Sequence, residues 1–415
     1  MEKEKLRELK KLMASRLTRP MRYYLDTCTR CGLCYDSCHA YYGIPKKEYS
    51  PVGRAEVVRR AVKRHLRPSG ALFPYWGDAT ALDERVMDEM REAAFSCTGC
   101  RRCMLFCPFG IDMPYILGIA KLLLIGYGNA PEELEMLADA AVEKGRSIDD
   151  FKEGFRSVIT DMEQEVQKRL GLSSSEGLIP MEKKNANVLF VGLSGAHSII
   201  HPAVIFNAAK EDWTLSFFEA VNFGMFAGDP EKTQIIADRV VNEAKALGVK
   251  EVVIVECGTA YRIPKFMLGP LPFKVTSIVE KIHRYLGEGR IRIKEGAITQ
   301  PVTYHDPCQL GRNAGVYDEP REILGRLAPD YREMSPTREY NWCCGGGGGL
   351  VALDNEEFRI KTGKAKKDQI DATGAKIVVS ACENCILQLN TIKDGYGLDV
   401  EVRSLSELVA DNLAI

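Results

Sequence analysis

Apolar residues recur at helical spacing along the first 185 positions. Over Lys3 to Leu17, residues Leu6, Leu9, Leu12, Met13 and Leu17 fall on one face of a 3.6-residue repeat. The same texture predicts helices over Gly53 to His65, Leu82 to Phe95 and Pro131 to Leu170. Pro68, Gly70, Pro74 and Gly77 punctuate a loop, and Gly171 to Gly177 (GLSSSEG) reads as a linker. From about residue 186 the pattern changes to short β-rich runs alternating with helical stretches. Asn187 to Val191, Glu251 to Val255, Val302 to Tyr304 and Lys376 to Ser380 are the strands this predicts, in an α/β region.

The two halves of that region resemble each other. Ala246 to Ala260 (ALGVKEVVIVECGTA) parallels Ala372 to Cys385 (ATGAKIVVSACENC), each a helix end, a glycine turn, a buried strand and a loop. Val221-Asn222-Phe223-Gly224 stands where Tyr340-Asn341-Trp342-Cys343 does. The chain therefore divides into a helical part at 1–185 and a duplicated α/β part, with copies at 186–298 and 299–415.

With 415 residues, 45% hydrophobic and 27% charged, the chain has the composition of a folded protein with several cores rather than a disordered or fibrous one. Its amino terminus, MEKEKLRELKK, lacks a secretory pattern, and a cytoplasmic, reducing setting is expected. The longest apolar stretch, Ile116 to Tyr127, is interrupted by Lys121 and is shorter than the roughly 20 residues a membrane span needs, so no transmembrane segment is expected. Residues 1–70 carry 17 Lys and Arg against 7 Asp and Glu, while the net charge of the whole is −1. That basic end suits an anionic membrane surface or an acidic partner protein, with Lys10, Lys11 and Arg16 as contact residues; it equally suits a solvated helical face. Nucleic-acid binding is not expected, because no recognition motif accompanies the charge.

Fourteen cysteines change the picture most. Cys28-x-x-Cys31-x-x-Cys34-x-x-x-Cys38 and Cys97-x-x-Cys100-x-x-Cys103-x-x-x-Cys107-Pro108 repeat the spacing that binds [4Fe–4S] cubanes, in which the fourth cysteine of each run ligates the other cluster. This assigns Cys28, Cys31, Cys34 and Cys107 to one cubane, and Cys97, Cys100, Cys103 and Cys38 to the other. His39 stands where a proline usually follows. Five more cysteines, Cys308, Cys343, Cys344, Cys382 and Cys385, follow predicted strands or lie in loops, the places that converge on the ligand side of an open α/β sheet. A zinc ion or an ordinary cubane would use four of them and leave a fifth. Cys382-x-x-Cys385 alone fits a thioredoxin-like redox pair, which leaves the other three unexplained. Gly345 to Gly349 lets the backbone approach closely; without a following Lys-Ser/Thr it does not read as a phosphate loop. No G-x-G-x-x-G opens a helix, so no dinucleotide is expected on this chain.

The C-x(n)-C-C-G-x(n)-C-x-x-C pattern, preceded by two ferredoxin-type groups, resembles the CCG iron–sulfur proteins: the D-type subunit of heterodisulfide reductase and the K-type subunit of the membrane complex associated with sulfite reduction. The resemblance implies an α-helical ferredoxin domain followed by a duplicated α/β CCG domain. It also implies a non-cubane [4Fe–4S] cluster on Cys308, Cys343, Cys344, Cys382 and Cys385, at which a disulfide or trisulfide is reduced. The D-type protein has two complete CCG motifs. Here the first copy reads Gly192-Leu193-Ser194, Gly224 to Gly228 and Cys257-Gly258-Thr259-Ala260, so only Cys257 remains and no cluster is expected there. Cys257 then either lines the substrate cleft or is a buried small hydrophobe. His305, three residues before Cys308, is the nearest candidate proton donor for the thiols released, with His197 and His201 as weaker ones; a structural role at a strand end is the plain alternative for His305.

Function follows as an expectation: an oxidoreductase subunit of a membrane-associated complex, taking electrons from a haem b or quinone-linked partner, with a small thiol or disulfide, or a protein disulfide, as substrate. The chain would be cytoplasmic and held peripherally at the membrane through that partner. A rival reading is the electron-transfer subunit of a flavin-dependent glycolate, lactate or glycerol-3-phosphate dehydrogenase, which also joins two ferredoxin groups to CCG domains.

Overall fold

The computed structural model describes residues 1–193 and 195–414. Among them no strand precedes Val188. The apolar stretch that is too short for a membrane span is the central helix, Met113–Tyr127. Ile116, Ile119, Ala120, Leu123 and Leu124 are fully or almost fully buried on it, against Lys3–Ser15, Pro51–Leu66 and Glu84–Phe95. A helix that is apolar all round is one that other helices surround. Proline opens both Met113–Tyr127 and Pro51–Leu66, and the Asp112 and Ser50 side chains cap them.

The region 131–170 forms two helices, Glu132–Arg146 and Ile148–Leu170, divided at Ser147. Ile159, Met162 and Val166 of the second enter the core of the first sheet. That sheet contains β1 (Val188–Val191), β2 (Trp213–Leu215), β3 (Glu251–Ile254) and β4 (Lys274–Ser277), all parallel, in the order β2-β1-β3-β4. A second parallel sheet contains β5 (Val302–His305), β6 (Tyr331–Arg332), β7 (Ile377–Ser380) and β8 (Glu401–Ser404), ordered β6-β5-β7-β8. Corresponding strands hold corresponding places: β1 pairs Val188 with Glu251 of β3, as β5 pairs Val302 with Ile377 of β7.

The two sheets share one apolar core. Phe190 and Val253 of the first belong to the same buried cluster as Tyr304 and Val379 of the second. Helices Ile278–Gly287 and Asp318–Leu327 pack on each other, as do His197–Ala208 and Leu405–Asp411. This back-to-back packing brings the chain that leaves β3 beside the chain that leaves β7: the N–H of Glu383 donates to the carbonyl of Glu256 at 2.8 Å. Crevices at the carboxyl ends of central parallel strands are where such sheets bind ligands.

Candidate metal centres

Cys28, Cys31, Cys34 and Cys107 line one small cavity together with Val52, Phe109 and Ile111. Burial pushes the Cys34 thiol up to about 11, whereas Cys31 is exposed. The loops around the two cysteine runs share a backbone conformation. Arg30 (φ 61°) and Gly32 (φ 84°) flank Cys31, and Gly99 (φ 67°) and Arg101 (φ 60°) flank Cys100, all left-handed. Alternating conformations of this kind turn N–H groups toward one side, the arrangement that favours an anion. The left-handed arginines are held from outside: Arg30 donates to Glu56 and Asp78, and Arg101 pairs with Asp112 at 2.8 Å.

Cys38 lies away from that cavity. The buried guanidinium of Arg54 donates to its Sγ at 3.5 Å and to the hydroxyl and carbonyl of Ser96 at 2.9 and 2.8 Å. Burial opposes the charge on Arg54, and the neighbouring Cys38 and Cys97 thiolates, with Cys103 behind them, outweigh it and raise its pKa. Cys38, Cys97 and Cys103 thus surround one cation. Cys100, the fourth thiol of the second set, points the other way: its Sγ, a ring nitrogen of His39 and the Sγ of Cys343 lie within 4.8 Å of one another.

The five C-terminal thiols converge there. Hydrogen bonding by Cys100, Cys308 and Cys344 pulls the Cys343 thiol well below the ordinary thiol range. Cys344 Sγ is 3.3 Å from Cys385 Sγ, and Cys385 in turn lowers the pKa of Cys382. His305 joins Cys344 and Cys385 within 4.8 Å. It is fully buried; burial and then the charge of Lys366 hold its imidazole neutral, and its Nε2 has no hydrogen-bond partner among the described residues. The amide N–H of Gly345 donates to Cys343 Sγ at 3.4 Å.

The glycine run explains how the second cysteine loop comes so near. A Cβ on Gly347 would sit 2.9 Å from the carbonyl oxygen of Thr98, and one on Gly348 would sit 2.8 Å from that of Cys97. Gly348 also has φ +69°. Gly348→Ala is therefore expected to cost about 1–3 kcal/mol through strain and a backbone collision. It should widen the gap between the two centres, read as a lower denaturation midpoint and slower reduction of the third site by a donor of the first two.

Around these thiols lie buried or half-buried cations with no carboxylate partner among the described residues: Arg54, Arg102, Arg312 and Lys366. Arg312 donates to the carbonyls of Cys100 (2.9 Å), Glu339 (2.6 Å) and Asn341, bracing the second and third centres against each other. Lys366, wholly inaccessible, donates to Asn341 Oδ1 at 2.7 Å; burial brings its pKa down to about 7, against the pull of the Cys344, Asp306, Cys343 and Cys385 charges. Uncompensated buried charge is expensive. Thiolates carrying an anionic cluster supply the missing counter-charge, so the residues present fit iron–sulfur groups at all three places.

Nothing in the cysteine spacing points to Lys366, Arg312, Arg54 or Thr98, whose hydroxyl lies 3.4 Å from Cys343 Sγ and 3.2 Å from His39 Nε2. His39, in sequence only a departure from proline, bridges the second and third centres, its Nδ1 3.2 Å from the carbonyl of Thr362.

In the first α/β unit the matching places are filled otherwise. Phe226 and Ala227 pack into the core of the helical part, and Lys121 Nζ donates to the carbonyls of Phe226 and, at 3.5 Å, Gly348. Ser194 lies outside the described residues. Cys257 is buried in the shared core, close enough to Cys382 that, after burial, the Cys382 charge helps raise its thiol to about 12. His197 pairs with Glu383, between Cys382 and Cys385, at 3.1 Å, whereas His201 is buried near Arg169 and away from the thiols.

Comparison with known proteins agrees with this inventory. Residues 24–111 match the 4Fe-4S dicluster domain and residues 302–390 the cysteine-rich domain, CCG. An Hdr-like menaquinol oxidoreductase iron–sulfur subunit from Archaeoglobus profundus is 27% identical, over 96% of this chain and 81% of its own. The D-type subunit of the dihydromethanophenazine:CoB–CoM heterodisulfide reductase of Methanosarcina mazei is 26% identical over 94% of both chains. An EtfAB:quinone oxidoreductase of Syntrophomonas wolfei is 24% identical over 89% of this chain, which spans 55% of that protein. The chain thus carries matches to a 4Fe-4S dicluster domain at residues 24–111 and to a CCG domain at residues 302–390, and over most of its length it is similar to iron–sulfur subunits of heterodisulfide-reductase-like oxidoreductases.

Proposed function

We propose that the chain passes electrons inward from the exposed Cys28/Cys31/Cys34/Cys107 site, through the Cys38/Cys97/Cys100/Cys103 site, to the five-thiol site, where a disulfide or trisulfide is reduced. When bound, two cubane [4Fe–4S] clusters supply one-electron relays at the first two sites and a non-cubane [4Fe–4S] cluster supplies the reducing centre at the third. The observation that carries this reading is the meeting of Cys100 with Cys343, which leaves no gap between relay and terminus. The overall change is RSSR′ + 2 e⁻ + 2 H⁺ → RSH + R′SH.

This chain's residues would serve that change in separate ways. Lys366 and Arg312 offset negative charge at the five thiols, and the Gly345 amide and Thr98 hydroxyl bond Cys343 sulfur. His305 presents an unpartnered Nε2 inside the site. The His197–Glu383 pair at the rim is the alternative path for protons from solvent. The matching strand orders support a duplicated CCG fold, with domains at 1–185, 186–298 and 299–415 and an all-helical ferredoxin part. The relatives' names, a menaquinol oxidoreductase subunit among them, support membership of a multi-subunit redox complex; in this proposal a haem b or quinone-linked partner holds the chain peripherally at the cytoplasmic face of the membrane. No helix of the described residues is long and apolar enough to cross a membrane.

The EtfAB:quinone oxidoreductase relative favours a second reading, in which the chain only relays electrons to or from a flavoprotein. The iron-loaded protein decides between them. Oxidation in the presence of a thiol should give an electron paramagnetic resonance signal distinct from a cubane's, which the thiol perturbs. A spectrum of cubanes alone, with zinc at the third site, would overturn the reductase reading.

A further inference from the structure

The segment between the helices Pro51–Leu66 and Glu84–Phe95, a short helix Pro68–Leu72 followed by a loop, carries the three most exposed large apolar side chains among the described residues. Leu72 is 72% exposed, Phe73 60%, Tyr75 92% and Trp76 85%, and no charged residue interrupts Ala71 to Gly77. Water is a poor place for four large apolar groups in five positions, unless something covers them. The loop is nevertheless built to hold them out. Its neck is closed where Gly77 lies against Gly70: a Cβ on Gly77 would meet the Gly70 Cα at 3.1 Å. Arg64 donates to the carbonyl of Ala71 at 2.8 Å, and the N–H of Gly77 donates to that of Phe73 at 2.8 Å. Asp78 is gripped by Arg30 at 2.7 Å and Arg60 at 2.9 Å. The Phe73 and Trp76 rings stack across the tip, with centroids 6.4 Å apart.

Cations lie at the base. Lys10 and Arg64 lie near enough to His65 to act, after burial, in lowering its pKa, Lys63 lies near enough to Asp78 to act on its carboxylate beside Arg60 and Arg30, and Lys11 follows Lys10 on the helix Lys3–Ser15; among the described residues Lys10, Lys11, Lys63 and Arg64 form no ion pair. A convex tip of Trp, Tyr, Phe and Leu above a collar of Lys and Arg has the chemistry of a membrane–water interface: aromatic rings at headgroup depth, cations against anionic headgroups. We propose that Leu72, Phe73, Tyr75 and Trp76 insert into the surface of an anionic lipid bilayer, giving this chain a membrane contact of its own. The Asp78–Arg30 bond ties the loop to the Cys28–Cys34 loop, so insertion would place the exposed first site at the bilayer surface. The contact is independent of what the five-thiol site reduces.

The test is sedimentation of the full-length, iron-loaded chain with phosphatidylcholine vesicles, with and without about one-third phosphatidylglycerol. The wild type should bind the anionic vesicles more strongly, and its Trp fluorescence should be quenched by brominated lipid in a way that Trp76→Phe abolishes. Leu72→Ser/Phe73→Ser/Trp76→Ser should lower binding by ~10-fold or more at unchanged iron content. Lys10→Glu/Lys11→Glu/Lys63→Glu should erase the preference for anionic lipid. Phe266→Ser/Met267→Ser, an exposed apolar pair of the first α/β unit, should bind as wild type. Equal binding by the triple serine variant would overturn the proposal. So would a wild type that ignores both vesicles, including the case in which the serine variant loses a co-purifying protein, which would make the loop a contact between proteins.

Discussion

Cys343→Ser is expected to empty the third site and abolish disulfide reduction, with iron falling by about four atoms per chain and the two relay centres intact. Cys343 is the thiol on which the site converges. It meets Cys308 and Cys344 on its own side and Cys100 across the junction, accepts a hydrogen bond from the Gly345 amide at 3.4 Å, and donates to the Thr98 hydroxyl oxygen at 3.4 Å. A serine oxygen is a poor substitute for a soft thiolate ligand, and its shorter bond draws the donor back from the other four. Lys366 in the interior and Arg312 beside it would then lose much of the thiolate counter-charge around them. Removing one side of a buried pair costs about 3–5 kcal/mol, so the variant should also unfold at lower denaturant. Cys257→Ala separates a ligand from a neighbour: that thiol lies close to Cys382 yet belongs to the apolar core, and its loss should leave iron content unchanged. If Cys343→Ser kept its full iron, or the wild-type site held zinc, the proposed third cluster would be wrong.

What is legible in the chain, and what is not, divides along a physical line. The four strands expected from sequence are the four central ones, β1, β3, β5 and β7; each is wholly buried, and three of them hold consecutive apolar residues, Val188–Val191, Val252–Ile254 and Ile377–Val379. The four outer strands carry no such signal. Glu401–Ser404 and Lys274–Ser277 carry charge at their exposed ends, and Trp213–Leu215 and Tyr331–Arg332 are only three and two residues long, so neither run length nor alternation marks them. The cysteines are legible because ligand spacing is local within each group. Their setting is not: Thr98 reaches Cys343 across 245 residues, and His39 reaches Thr362 across 323. The glycine run signals close approach without saying that Cys97 and Thr98 approach it. Residues 68–77 read as loop punctuation, yet Pro68–Leu72 is a short helix that Pro68 opens, and Leu72, Phe73, Tyr75 and Trp76 are unusually apolar for a turn.

If ligation is crossed as proposed, its largest consequence is expected from Cys38→Ser, which should sever the relay. Cys38 closes the first cysteine run in sequence, yet it is bonded by Arg54 beside Cys97 and Cys103, while Cys107 lies in the cavity of Cys28, Cys31 and Cys34. Pairs of variants expose this by iron counting. Cys31→Ser/Cys107→Ser removes two ligands of one cluster and should lose about four irons per chain, no more than either single variant. Cys31→Ser/Cys38→Ser removes one ligand from each of two clusters and should lose about eight. Uncrossed ligation predicts the reverse, so the two counts decide the matter. The kinetic outcome follows from the order of the sites. With Cys38 replaced, the exposed first site should still accept electrons from a docked donor, but Cys100, which faces Cys343, would belong to an emptied centre. Donor-driven reduction of the five-thiol site should then fall to background, while a small reductant that reaches that site directly should still reduce it. A Cys38→Ser protein that turned over with its donor at the wild-type rate would show that electrons enter the third site by another route.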